Sequence, residues 1–147
     1  MSRAELARAA ALLTEAGLWV FPCLLSGAPA TSLGSSVDRP ERAYRLFRGT
    51  PDAALIGVPT GSVTMLLVID VDPSAFRWFR TKLQRFPATC MHRTPRGGYQ
   101  LVYRLPLPPA PILGSSSGKI ALGVNTHGQG GYVIWPPSDG YEVVQEG

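Results

Sequence analysis

Two aspartates close a strongly hydrophobic stretch of the chain. Residues 66–73 read LLVIDVDP, so Asp70 and Asp72 stand one residue apart at its end. In a β-strand, residues i and i+2 point to the same face, which would place the Cβ atoms of the two aspartates about 6–7 Å apart. Such a pair can bind one or two divalent cations, and its hard oxygen ligands favour Mg²⁺ or Mn²⁺. Alternatively, Asp72 or Ser74 caps a following helix. The stretch by itself leaves both interpretations open.

A second candidate is TPRGGYQLVYR (94–104), whose pattern predicts two strands joined by a glycine turn. Gly97 and Gly98 allow positive φ and a close approach of the backbone, which suits either a tight turn or contact with a phosphate. Arg93 and Arg96 lie beside this turn. The alternative is an ordinary hairpin with solvated arginines, and this stretch alone favours that alternative.

The third candidate is GVNTHGQGGYVIWPPSDG (123–140), in which Asn125 and His127 follow an expected strand and precede a glycine-rich loop. A lone histidine in such a place is more often a hydrogen-bonded loop residue than a ligand. Trp135 suits core packing, although an exposed aromatic ring could stack on a base. Each of the three signals is weak when taken separately.

The rest of the pattern predicts the elements that position these residues. Helices are expected at 4–16, at 39–48 (capped by Asp38, with Pro40 in the first turn) and at 74–86. Strands are expected at 18–25, 53–58, 64–71, 89–94, 99–105, 119–124 and 132–135, with a proline-rich loop over 105–118. The order α-β-α-β-β-α-β-β-β-β indicates an α/β (α+β) sandwich, in which helices flank a mixed central sheet.

Composition limits the class of protein further. The chain has 147 residues, 45% of them hydrophobic and 16% charged, which predicts one globular domain over 1–147. No apolar run is long enough to span a membrane, and the first residues predict an amphipathic helix rather than a signal peptide. Two cysteines and two histidines are too few for a disulfide framework or a zinc ribbon, which favours a reducing, cytoplasmic setting.

The net charge of +4 is carried mainly by arginine, with twelve Arg against two Lys. This excess permits binding of nucleic acid or phosphate. It can equally reflect a GC-rich genome, so charge alone does not decide between the two.

Taken in order, the candidate stretches resemble the primase–polymerase domain at the N-terminus of bifunctional DNA primase/polymerases, within the archaeo-eukaryotic primase superfamily. The matching segments are GLWVFPC (17–23), PDAALIGVPTGSVTMLLVIDVDP (51–73), TPRGGYQLVYR (94–104) and GVNTHGQGGYVIWPPSDG (123–140). The resemblance implies an RRM-like core and template-directed, metal-dependent nucleotidyl transfer in DNA replication. It also implies single-stranded DNA and nucleoside triphosphates as partners, together with a helicase or another replication protein.

The resemblance assigns roles to individual residues. Asp70 and Asp72 fall on the acidic pair that binds the catalytic Mg²⁺ or Mn²⁺, which phosphoryl transfer needs to neutralise the triphosphate and activate a 3′-hydroxyl. The usual phosphate-facing histidine falls on Gln100, and a further metal-binding aspartate falls on Asn125. Contacts with nucleotide or nucleic acid are implied for Arg93, Thr94, Arg96, Gly97, Gly98 and His127, the last standing where an arginine is usual.

These departures from the family pattern have physical consequences. Asparagine keeps an acceptor oxygen but loses the negative charge that strengthens cation binding, and glutamine cannot carry the positive charge of histidine. An early lysine–proline pattern is also missing from SGAPAT (26–31). Three hypotheses follow: an active primase–polymerase, a primase-fold module that binds nucleic acid or nucleotide without transfer, and a docking platform for a replication partner.

Overall fold

The computed structural model describes residues 1–105 and 114–146, and the chain divides into two compact units. Unit 1 comprises Met1–Pro59 and Tyr132–Asp139, and unit 2 comprises Thr60–Gly131 and Gly140–Gly147. A single domain over 1–147 stays a prediction. The elements in chain order are α1 (Arg3–Glu15), β1 (Phe21–Cys23), α2 (Pro40–Arg48), β2 (Leu55–Pro59), β3 (Leu66–Val71), α3 (Phe76–Lys82), β4 (Cys90–Arg93), β5 (Tyr99–Arg104), β6 (Ser116–Ala121), β7 (Val124–His127), β8 (Tyr132–Ile134) and β9 (Glu142–Gln145).

Unit 1 contains a three-stranded antiparallel sheet in the order β1-β2-β8, together with α1 and α2, which pack against each other. A capping box starts α1, because the Ser2 hydroxyl accepts from the Glu5 amide while the Glu5 carboxylate accepts from the Ser2 amide. The expectation that Asp38 caps α2 is wrong. The cap residue is Arg39, which makes no side-chain cap hydrogen bond, and Pro40 suits the first turn because its missing N–H needs no partner there.

Unit 2 contains a six-stranded sheet in the order β6-β7-β3-β5-β4-β9. Because β3 lies inside this sheet, its two edges are paired with β5 and β7. One face of the sheet packs around α3 in an apolar core formed by Ile69, Val71, Ala75, Phe79, Leu101 and Val124. The α/β class is therefore confirmed. The expected mixed pairing is corrected, because all pairs between the named strands are antiparallel.

Several element boundaries differ from the sequence-based expectation. The strand expected from Thr64 begins at Leu66, since Met65 has a φ of 58° and interrupts extended structure. The helix expected over 74–86 is α3 flanked by two short 3-10 helices, Pro73–Ala75 and Leu83–Arg85. Most of the proline-rich loop, residues 106–113, lies outside the described residues, and β6 already begins at Ser116.

Two strands were not expected from the sequence. The first is β7, which contains Asn125 and His127 although a glycine-rich loop was expected there. The second is β9, which forms an edge of the six-stranded sheet beside β4. In the parts of the chain described above, no helix is both long and apolar enough to cross a membrane.

Candidate nucleotide-binding site

A row of polar side chains crosses the six-stranded sheet at Asp70. Asp70 lies directly opposite Gln100 on one side and Asn125 on the other. Farther out, Gln100 lies opposite His92, and Asn125 lies opposite Ser117. Residues that oppose each other in antiparallel strands share a face of the sheet, with Cβ atoms about 4.5–5.5 Å apart. These five residues are called the polar row below. The sheet thus brings Asp70 together with both amides that the sequence analysis singled out.

A cavity of about 360 Å³ opens over the middle of the polar row. It is lined by Asp70, Asp72, Thr94, Pro95, Arg96, Gln100, Asn125 and Tyr141. Six of these eight residues were predicted as site residues, and Pro95 and Tyr141 were not. Both carboxylates of the acidic pair are about one-third exposed, at 36% for Asp70 and 33% for Asp72, so a ligand in the cavity can reach them.

Asp72 follows the end of β3 and is the cap residue of the 3-10 helix Pro73–Ala75. Its Oδ2 accepts a hydrogen bond of 3.0 Å from the Ser74 amide, and its Oδ1 lies 3.5 Å from Arg96 Nε. The bond from Ser74, with a smaller contribution from Arg96, lowers the pKa of the Asp72 carboxyl. The expectation of a cap is therefore confirmed for Asp72. The cap does not exclude a cation at Asp72, because only Oδ2 takes part in it. The other carboxylate oxygen, Oδ1, faces the side chain of Arg96, which lines the cavity.

Asp70 has an imidazole neighbour of its own, since its Oδ2 lies 3.7 Å from His127 Nε2. His127 lies on β7, two residues after Asn125 and on the same face of the sheet. It does not line the cavity above Asp70. It lines an adjoining cavity of about 420 Å³ whose other lining residues are Ser115, Ser116, Ser117, Asn125 and Thr126. Asn125 is shared by the two cavities, which places His127 beside the predicted site.

The hairpin between β4 and β5 brings Arg96 towards the acidic pair. The Thr94 hydroxyl accepts from the Gly98 amide at 3.1 Å, and Gly97 turns the chain with a φ of 84°. A Cβ atom at Gly98 would lie 2.4 Å from the Val71 carbonyl oxygen, so only glycine lets the hairpin approach the end of β3 this closely. Gly97 and Gly98 shape the turn and are not among the residues lining the cavity.

Arg93 does not join the other predicted site residues. It lies opposite Tyr99, and its guanidinium carbon stands 5.8 Å from the centre of the Tyr99 ring. That ring stacks on Phe76 of α3, so Arg93 is on the face of the sheet that carries the apolar core. The alternation of side chains along β4 explains the placement, because the neighbouring His92 points to the cavity side.

His92 is the main residue of this region that sequence reasoning missed. It is fully buried, and its Nδ1 lies 2.9 Å from Gln100 Oε1. Burial lowers the pKa of the His92 imidazole, which therefore stays neutral at pH 7. A signal was available: the Thr94–Gly98 turn sets a register in which residue 92 opposes residue 100. For Ser117 and Tyr141 no local pattern pointed to the site.

Among the described residues of unit 2, no third carboxylate lines the cavity to replace the charge missing at Asn125. Asp139 pairs with the amino group of Met1 at 3.3 Å, and Glu142 lies on β9, three strands away from β3. Across residues 1–105 and 114–146, no group of three or more His, Cys, Asp or Glu side chains is arranged to hold a metal ion. Two carboxylates still fit Mg²⁺ or Mn²⁺, because such ions commonly bind one or two carboxylates and complete their shell with water and substrate phosphates.

These features define the class of protein: an α/β domain of the primase–polymerase type, with an acidic pair on an interior strand and two amides beside it. The family model for the N-terminal region of bifunctional DNA primase/polymerases matches residues 9–146. The chain belongs to this family, and the resemblance found in the sequence is confirmed. No curated protein matches the chain.

Proposed function

We propose that this domain carries out metal-dependent nucleotidyl transfer on a single-stranded DNA template, with Asp70 and Asp72 holding Mg²⁺ or Mn²⁺. The observation that supports this proposal is the convergence of both carboxylates and Arg96 on one cavity. A divalent ion bound there would neutralise charge on the triphosphate and activate the attacking 3′-hydroxyl. Membership of the primase–polymerase family supports DNA and nucleotides as the ligands.

The residues around the acidic pair suit a nucleotide. Arg96 is 83% exposed, so its guanidinium can leave Asp72 and bind a phosphate group through paired N–H donors. Thr94 and Gln100 add uncharged polar groups to the same cavity wall. His127 supplies an imidazole next to Asp70, which can donate a hydrogen bond to a phosphate oxygen.

The distribution of charge supports a nucleic-acid ligand for unit 2. Its sequence contains eight Lys or Arg residues against four Asp or Glu, and two of those four acids are the cavity pair. Unit 1 contains six basic and six acidic residues. The whole positive excess of the chain therefore belongs to the unit that carries the acidic cavity, and a phosphate backbone is the kind of ligand that such an excess attracts.

A primer-synthesis and primer-extension assay with Mn²⁺ tests this proposal. We expect product from the wild-type chain and a loss of about 10²-fold or more in Asp70→Ala, because the metal contributes several kcal/mol to transition-state stabilisation. Glu142→Gln is the matched control, since it removes a carboxylate from the same sheet outside the cavity and should leave the rate unchanged. Equal product from the wild type and Asp70→Ala would reject the assignment of Asp70.

A second candidate function is a module that binds nucleotide or single-stranded DNA with little or no transfer. The observation that favours it is the pair of uncharged amides, Gln100 and Asn125, on both sides of Asp70. In the same assay this function predicts no product from any variant. It predicts instead DNA binding that weakens steeply with salt, which a titration at several ionic strengths would measure.

A further inference from the structure

An exposed basic surface lies on the face of the six-stranded sheet that packs around α3, whereas the cavity lies on the other face. It consists of Arg77 and Arg80 of α3 and Arg93 of β4, all of which are exposed. Within the part of the chain that the structure describes, none of the three forms an ion pair with a carboxylate. The sequence contains no aspartate or glutamate between Asp72 and Asp139, so this stretch supplies no carboxylate to neutralise them. These three residues are called the arginine surface below.

The geometry of α3 places its two arginines on one side of the helix. Successive residues of a helix are about 100° apart, so Phe76, Arg80 and Arg77 lie, in that order, within about 100° of one another. Lys82 lies about 160° from Arg80, on the other side of the helix. The ring of Phe76 stacks on that of Tyr99, with 5.5 Å between the ring centroids. The two arginines therefore lie on the side of α3 that meets β5.

Arg93 reaches the same side of α3 from the sheet. Its guanidinium carbon stands 5.8 Å from the centre of the Tyr99 ring, which is also the ring that stacks on Phe76. Contact with an aromatic ring orders a guanidinium, so less conformational entropy is lost when it binds a phosphate. Glu142 of β9 lies opposite Arg93, but no ion pair joins the two side chains. Arg93 therefore adds an ordered cation to the two on α3.

The β4–β5 hairpin connects the arginine surface to the cavity. Arg93 precedes the turn of this hairpin, and Arg96, within the turn, lines the cavity. The hairpin also lies against the chain that leads into α3, since a Cβ atom at Gly98 would be 3.3 Å from Pro73 Cδ. Cationic groups therefore continue from the cavity, around the hairpin, to α3.

We propose that the arginine surface binds the phosphate backbone of single-stranded DNA outside the cavity. Three exposed guanidinium groups suit this ligand, because arginine binds phosphate oxygens through paired N–H donors. An acidic protein would also match the charge, but membership of a DNA primase/polymerase family favours DNA. The inference rests on the proposed function for its choice of ligand. It adds a second binding surface to the cavity and requires neither a bound metal nor nucleotidyl transfer.

Binding of the whole chain to an oligothymidylate of about 16 nucleotides, measured by fluorescence anisotropy at several salt concentrations, tests the proposal. The arginine-surface variant carries Arg77→Gln, Arg80→Gln and Arg93→Gln. We expect its slope of log affinity against log salt concentration to be shallower by about 2, because each phosphate contact on a single strand contributes about 0.7. At about 0.1 M salt it should bind at least about tenfold more weakly than the wild type. An unchanged slope in the folded variant would overturn the proposal.

Two further variants serve as controls. Arg42→Gln, Arg45→Gln and Arg48→Gln together remove three exposed arginines from α2 of unit 1, and Lys82→Gln removes a cation from the other side of α3. Both should keep the wild-type slope. An equal fall in slope in the α2 variant would show an effect of net charge alone and would refute the arginine surface. If the arginine-surface variant does not fold, its three single substitutions decide, each with an expected fall of about 0.7.

Two other ligands test where the arginine surface lies and what it binds. A nucleoside triphosphate with Mn²⁺ should bind the arginine-surface variant as tightly as the wild type, and weaker binding would place the three arginines at the cavity and refute the proposal. Labelled polyglutamate represents an acidic protein. If the variant loses affinity for polyglutamate but not for DNA, the surface binds an acidic protein and the assignment of DNA fails.

These outcomes are separable from those of the proposed function. If Asp70→Ala abolishes primer synthesis while the arginine-surface variant keeps the wild-type salt slope, the proposed function stands and the arginine surface fails. If no chain makes product but the slope of the variant falls by about 2, nucleotidyl transfer fails and the arginine surface stands as part of a DNA-binding module.

Discussion

The two faces of the six-stranded sheet differ in chemistry around Asp70, although they share the same strands. On β3, Asp70 points to the polar row while its neighbours Ile69 and Val71 belong to the apolar core. On β5, Gln100 faces the cavity and Leu101 the core. Each functional side chain is therefore one residue away from a side chain that stabilises the fold.

The difference between the faces shows how the sheet can carry polar groups in its interior. On the core face, stability comes from removing apolar surface from water, which is non-directional. On the cavity face, His92 and Gln100 are 0% and 3% exposed, and burial of such groups is tolerated only when they are hydrogen-bonded. They bond to each other. The stability of this face therefore depends on hydrogen-bond direction and strand register, whereas the stability of the core depends on how well side chains fill its volume.

The largest effect on stability should come from the core face. Leu101→Ala removes a side chain that is 2% exposed and should lower the free energy of unfolding by about 2–5 kcal/mol, measured by urea denaturation. Leu122→Ala is the matched control, because Leu122 is 91% exposed and its truncation should change little. A loss below about 1 kcal/mol for Leu101→Ala would show that the core face is less tightly packed than the structure indicates.

A smaller, pH-dependent effect should come from the polar face. The pKa of His92 is lowered by burial, so below the ordinary value of about 6.5 the unfolded chain binds a proton that the folded chain does not. This contribution therefore destabilises the fold progressively as the pH falls below about 6.5, and it vanishes above that value. We expect the free energy of unfolding of the wild type to fall between pH 7 and pH 5.5.

His92→Asn removes the titrating group and should flatten this part of the curve of unfolding free energy against pH. Parallel curves for the wild type and His92→Asn would contradict a buried, neutral His92.

The smallest effect on stability should come from the rim of the cavity. Arg96 is 83% exposed, and an exposed ion pair such as that with Asp72 contributes little, so Arg96→Gln should change the free energy of unfolding by less than about 0.5 kcal/mol. The same change should reduce the salt dependence of single-stranded DNA binding by about one phosphate contact. Arg42→Gln, on α2 of unit 1, serves as the control and should leave that dependence unchanged.

The sequence predicted those features that short stretches of chain determine. The acidic pair, the interior position of β3 and the hairpin from β4 to β5 depend on alternation and turn residues within about ten positions, and each is found in the structure. The two-residue spacing of Asp70 and Asp72 likewise brought both to one cavity. The family assignment followed from the order of such local stretches.

Features that depend on pairing between distant strands were not predicted. Asn125 was expected just after a strand that ended at residue 124, because the glycines that follow indicate a turn, whereas pairing with β3 places it inside a strand that extends to His127. The exposed strand β9 has no apolar face of its own to mark it, and pairing with β4 forms it. The contact of Ser117 with Asn125 requires the register of β6 on β7, which neither segment specifies alone.

The register at Asp70 also limits how this chain can change over evolutionary time. Because Asp70 opposes one residue on each neighbouring strand, a one-residue insertion or deletion within β5 or β7 would turn Gln100 or Asn125 to the opposite face of the sheet. Substitutions at positions 100 and 125 leave the strand pairing intact. Descendants of this sequence can therefore exchange the chemistry of the cavity one side chain at a time, whereas the lengths of these two strands are held fixed.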